Sequence, residues 1–298
     1  MRSVQAQALG GSPSELGESP LWDDRTGQLY WIDITGHNLH RLDPLGSVTT
    51  MKLTQMVTTI GLTTGHQLVG THRTGFALID PTTGEVSELG PQLTVAAGER
   101  MNDGACDPTG QFWAGSAGET GTASLWRLDT TGHTHRMLDG VTESNGITWP
   151  GLSPTEFYYV DTPTGRVDVI TMSAGKVDTR CCIADFPAAQ GTPDGIAVDA
   201  EGNIWVALWG AGRVVCVSPD GAIQAEVLVG VPNVSNVAFF QNRNRWRMAI
   251  TTAREGLDDD AVTSDGRHGA LFIADSPVPG RINPRFTISL PLAALRRN

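Results

Sequence analysis

Polar and apolar positions recur along the chain in one arrangement: a polar residue, a short apolar run, a Gly-containing turn, then a second apolar run. Glu18 leads SPLWDDRTGQLYWIDI, Asn102 leads DGACDPTGQFWAGSA, Asn145 leads GITWPGLSPTEFYYVDT and Asp194 leads GIAVDAEGNIWVALW. Thr59, before IGLTTGHQLVGTHR, and Asn236, before VAFFQNRNRWRMAITT, head two weaker copies. Five residues after these leaders stand Asp23, Thr64, Asp107, Pro150, Asp199 and Gln241, of which the three Asp and the Pro are turn formers. The leaders are separated by 41, 43, 43, 49 and 42 residues, the period of a four-stranded propeller blade at about 40–50 residues per unit.

Within each unit YWIDI, FWAGS, FYYVD and IWVAL are aromatic and β-branched runs bounded by turn chemistry, which predicts strands. Later segments such as GFALIDPTTGEV, SLWRLDTTGHTH and RVVCVSPDGAI alternate and end in polar turns. The pattern therefore predicts an all-β chain, a six-bladed β-propeller of four-stranded blades occupying residues 1–298 as a single domain. A β-sandwich is the competing architecture, and the regular spacing disfavours it. Closing the propeller without open edges places the N-terminal strand in the last blade, beside residues near Phe272 to Leu290. The C-terminal SLPLAALRR reads equally as a helical turn or as the end of a closing strand.

Composition narrows the function classes. Twenty-one Lys and Arg against 32 Asp and Glu give a formal charge of −11. With no basic run beyond Arg296-Arg297, this excludes a phosphate-backbone binder, so no nucleic-acid partner is expected. No apolar run approaches the roughly 20 residues of a spanning helix, and MRSVQAQALGGSPSELGE has no apolar core of signal-peptide length. The expectation is a cytoplasmic protein with no membrane partner. Cys106, Cys181, Cys182 and Cys216 contain no CxxC pair, and they read as reduced thiols. His133 and His135 fall in a hairpin turn and read as structural. The eight Trp read as blade packing, with Trp209 the exception. Asp258-Asp259-Asp260 reads as a solvated loop.

In a propeller the first strand of each unit lines the central channel, so equivalent residues converge. The leaders Glu18, Thr59, Asn102, Asn145, Asp194 and Asn236 all carry side-chain oxygen, a set suited to a hard divalent cation. Asx before Gly, as in Asn145-Gly146 and Asp194-Gly195, also serves tight turns. That alternative accounts poorly for Glu18.

At these residues the sequence resembles the SMP-30/gluconolactonase/luciferin-regenerating-enzyme family. The matching motifs are Leu16-Gly17-Glu18-Ser19-Pro20-Leu21-Trp22, Arg100-Met101-Asn102-Asp103-Gly104, Ser144-Asn145-Gly146-Ile147 and Pro193-Asp194-Gly195. They stand in family order, and the match is less clear beyond about residue 235. The resemblance implies a six-bladed propeller with one divalent metal held by Glu18, Asn145 and Asp194. It implies substrate contacts from Arg100 and Asn102, with Glu119 matching a further family acidic residue in a locally divergent segment.

The implied activity is hydrolysis of a sugar (aldono) lactone to the aldonic acid. The metal would polarise the carbonyl, with Asp194 as the catalytic base for water; hydroxide on the metal is the other description of the base. Oxygen ligands favour Ca²⁺, Mg²⁺ or Mn²⁺, and the resemblance leaves Zn²⁺ and Fe²⁺ open. Two further readings stand beside this one. The first is a metal-dependent hydrolase of non-sugar lactones, esters or phosphotriesters. The second is a non-enzymatic calcium-binding propeller.

Overall fold

A computed structural model describes residues 2–11, 13–95 and 98–289. Six sheets of four blade strands each follow in chain order, so the chain is an all-β, six-bladed β-propeller. The inner strands of the blades are Gly17–Asp23, Thr59–Thr63, Arg100–Cys106, Ser144–Thr148, Thr192–Val198 and Val234–Asn242. Each begins at or within two residues of the repeat leader, so the sequence frame and the strand frame coincide. The chain divides into two compact units, Met1–Thr50 with Ile183–Ile282 and Met51–Cys182 with Asn283–Asn298. The first holds the fifth, sixth and first blades, the second holds the second, third and fourth.

In the first unit, Trp205, Val214, Val237, Phe239 and Phe272 bury one core between the fifth and sixth blades. Trp22, Trp31, Phe240 and Ile273 bury another between the sixth and first. The second unit has matching cores, around Phe76, Met101, Phe112 and Phe286 and around Trp113, Trp149, Phe157 and Tyr159. Burying such aromatic faces contributes roughly 2–3 kcal/mol per side chain, and edge-to-face pairing adds to it. Trp22 meets Trp246 at 5.6 Å and 75°, and Trp113 meets Trp149 at 5.8 Å and 68°. Blade packing is what these Trp do, as their spread along the sequence predicts.

The N-terminal segment is used twice. Gln7–Ala8 pairs antiparallel with Phe272–Asp275 and completes the sixth blade, as closure requires. Arg2–Gln5 runs parallel to Ile223–Leu228 and adds a fifth strand to the fifth blade. Past the sixth blade the expectation needs correction: Arg285–Phe286 pairs with Leu62 and Thr63 of the second blade, where Phe286 is buried in the core. The predicted closing segment SLPLAALRR lies outside the described residues after its Ser289.

The acidic triplet also differs from its reading as a loop. Asp258 caps a short helix, Asp259–Ser264, its carboxylate accepting the Ala261 N–H at 2.6 Å. Asp259 and Asp260 occupy the first turn, where the positive end of the helix dipole favours them. Among the described residues no helix is long and apolar enough to cross a membrane.

Candidate active site

All six repeat leaders are buried, each exposing 7 % of its surface or less. What aims them is a break in the sheet. The pairing of inner and second strands shifts register at Glu18/Leu21, Met101/Gly104, Ser144/Ile147, Pro193/Ile196 and Val234/Asn236. A bulge re-aims the side chain it carries, and five of the six leaders stand in one. The exception is Thr59, whose strand pairs regularly with Leu68–His72. At the first bulge Ser19 has φ 51, a left-handed conformation that costs a non-glycine residue about 1 kcal/mol or more.

In the first unit, Glu18 and Asn236 are bonded across neighbouring inner strands. Glu18 Oε2 accepts the Ser19 N–H at 2.9 Å and Asn236 Nδ2 at 3.0 Å. Asn236 Oδ1 accepts the Val237 N–H at 2.8 Å. Exchanging the two amide atoms would set oxygen against carboxylate oxygen and nitrogen against an N–H, so the surroundings dictate the orientation. Asn236 therefore presents a donor to Glu18 and is poorly disposed to offer oxygen to a cation. Its amide also abuts the Asp194 turn: a Cβ on Gly195 would lie 2.0 Å from Asn236 Cγ. Only glycine fits after Asp194 while Asn236 holds this place. Asn236 thus links the buried Glu18 carboxylate to the backbone beside Asp194.

In the second unit, Asn145 Nδ2 donates to Thr162 Oγ1 at 3.0 Å, which turns its carbonyl oxygen the other way. Asn102 Nδ2 donates to the Ser144 carbonyl at 2.8 Å, and its Oδ1 accepts from Arg100. Arg100 donates a second bond to the Met101 carbonyl at 3.0 Å. Arg100 and Asn102 are thus brought together. Glu119 stands apart, exposed in the loop after Phe112–Ala117, where its carbonyl accepts the Thr122 N–H and Oγ1. The buried carboxylate beneath that loop is Glu99, which accepts from Thr122 Oγ1 and would touch any Cβ on Gly118.

Two positioning carboxylates went unrecognised in the sequence. Asp33 accepts the N–H groups of Glu15 and Leu16 at 3.1 Å and of Gly36 at 2.9 Å. Asp161 accepts those of Glu143 at 2.9 Å and Thr142 at 3.2 Å. Each closes its blade's second strand opposite the residue before a leader, Asp33 facing Gly17 and Asp161 facing Ser144. YWID33 and YYVD161 share aromatic-aromatic-apolar-Asp, the signal that identifies them. Trp209 ends the second strand of the fifth blade, opposite Thr192, and is only half-buried.

Among the described residues no three His, Cys, Asp or Glu side chains form a metal-ligand group. Glu18 and Asp194 are the buried carboxylates that a cation in the first unit would use. That hard, all-oxygen set fits Ca²⁺, Mg²⁺ or Mn²⁺.

The SMP-30/Gluconolactonase/LRE-like region matches residues 16–254. The chain belongs to this family. It is 34 % identical over 283 residues to 6-deoxy-6-sulfogluconolactonase of Pseudomonas putida, covering 92 % of this chain and 96 % of that one. It is 29 % identical over 283 residues to regucalcin of Oryctolagus cuniculus, covering 91 % and 94 %. The crystal structure of a calcium-binding protein, regucalcin, from Agrobacterium tumefaciens superposes with a TM-score of 0.87 at 29 % identity, covering 97 % and 100 % of the two chains.

Proposed function

We propose that the protein is a divalent-metal-dependent lactonase that opens a sugar (aldono) lactone to the aldonic acid. The observation that carries this reading is the pair of buried carboxylates, Glu18 and Asp194, on bulged inner strands with Asn236 aligned to Glu18. Buried negative charges are costly unless they are compensated, and a cation would compensate both. Membership of a family with lactonases supports the activity. In this reading Glu18, Asn145 and Asp194 hold the metal, as the resemblance to the family implies. Regucalcin's description as calcium-binding favours calcium among the candidates.

When bound, the cation supplies Lewis-acid polarisation of the lactone carbonyl. The chain's own residues do the rest. Arg100 and Asn102, already bonded to each other, donate to sugar hydroxyls and orient the ring. The Asp194 carboxylate takes the proton of the attacking water. As the ring C–O bond breaks, that proton passes to the leaving ring oxygen, which becomes the free hydroxyl of the acid. Water and lactone thus balance to the hydroxy acid.

The test is turnover of an aldonolactone by Asp194→Ala and Glu18→Gln, with folding followed by circular dichroism. Loss of activity beyond about a hundredfold in folded Asp194→Ala is expected for a general base. Undiminished turnover would overturn the assignment.

A further inference from the structure

The acidity of the chain has a local exception. Arg243, Arg245 and Arg247 lie within five residues at and beside the tip of one hairpin in the sixth blade. The tip residues Arg243 and Asn244 have φ of 48 and 62. Hairpins of this geometry favour Asn-Gly, so an Arg at the first central position is held there against a cost of about 1–2 kcal/mol. Arg245 and Arg247 are two apart on one strand and share a face.

These residues line a cleft of about 770 Å³ whose opposite wall is the Pro44-Leu45-Gly46 turn of the first blade. Leu45 is 93 % exposed there, an apolar side chain presented to solvent at the rim of a basic cleft. Arg247 is paired with Asp275 at 3.1 Å. Arg243 and Arg245 are exposed and carry no ion pair among the described residues. Three guanidiniums against one carboxylate leave the lining at +2. The cleft is separate from the carboxylate site: Asn236 and Asn242 stand six residues apart on one strand, roughly 20 Å.

We propose that this cleft binds small organic phosphates. Arg243 and Arg245 grip the phosphate, whose oxygens suit the guanidinium fork. Leu45 and Pro44 cover the apolar body of the ligand. The volume matches small-molecule sites, roughly 300–1,000 Å³.

Calorimetry with phenyl phosphate as probe tests the proposal, with inorganic phosphate and phenol as its two halves. The expected result is one saturable site per chain, tightest for phenyl phosphate and weakened by added salt. Affinity should fall by about tenfold or more in Arg243→Gln/Arg245→Gln, consistent with losing charge-assisted hydrogen bonds, while the thermal midpoint stays unchanged. Binding should persist in Asp194→Ala. Absence of saturable binding to the native chain, equal affinity in the double variant, or loss of binding in Asp194→Ala would each overturn the proposal. None of these outcomes depends on whether the protein is a lactonase.

Discussion

Asn236 Nδ2 donates to Glu18 Oε2 at 3.0 Å, joining two inner strands 218 residues apart in sequence. This bond fixes the plane of the carboxylate that we propose as a metal ligand. Groups that orient metal ligands are worth about 10–100-fold in metal affinity. Asn236→Ala should therefore bind the ion that much more weakly by calorimetry while melting close to the native temperature. Unchanged affinity would show that Glu18 needs no partner to hold its place.

Asp33 acts one step further back. Its carboxylate collects three backbone N–H groups, two from the segment entering the first blade and one from the turn after its second strand. Asp33→Ala strands those donors, and urea denaturation should show a loss of about 2–3 kcal/mol. Asp161→Ala should behave alike, with the smaller loss expected from two N–H partners.

The propeller was legible because its cause is periodic. Leaders, turn residues and aromatic strands repeat every 41 to 49 residues, and each repeat folds into a blade. Asp107 and Asp199 were legible as turn formers, but their further role was not. Asp107 Oδ2 accepts Trp113 Nε1 at 2.9 Å, and Asp199 Oδ2 accepts Trp205 Nε1 at 3.0 Å. Each Asp therefore locks its turn to a core indole six residues on. The bond of Asn236 to Glu18 joins residues 218 apart in sequence, and no local pattern announces it. Arg285–Phe286 was misassigned for a similar reason: a two-residue strand carries too little pattern to name its partner.

The four thiols divide cleanly. Cys106 and Cys216 are buried, and burial pushes the Cys216 thiol up to about 12 and that of Cys106 upward as well. Cys181 and Cys182 are exposed on the outer strand of the fourth blade. Since the thiolate is the reactive form, an aromatic disulfide reagent at mildly alkaline pH should titrate two thiols in the native protein and all four after denaturation.

Two buried histidines set an acid limit on stability. Burial is the main cause that lowers His40 and His72 from their ordinary value of 6.5. His40 also stacks on Trp31 at 5.0 Å. A histidine with a lowered folded pKa binds its proton more readily unfolded than folded, so stability is full above about 6.5 and falls as pH drops below it. The urea midpoint should decline from pH 7.5 towards 5.5, and His40→Phe should flatten part of that decline.

In the proposed function a bound divalent cation enables this chain to hydrolyse sugar lactones. The most direct measurement is proton release from a panel of aldonolactones by protein stripped of metal and then resupplied with single divalent ions. Acid release above the spontaneous rate that returns with one ion per chain, and fails to return in Asp194→Ala, is the predicted result. Full activity in the stripped protein, or no stimulation by any ion on any aldonolactone while one ion still binds, would contradict it.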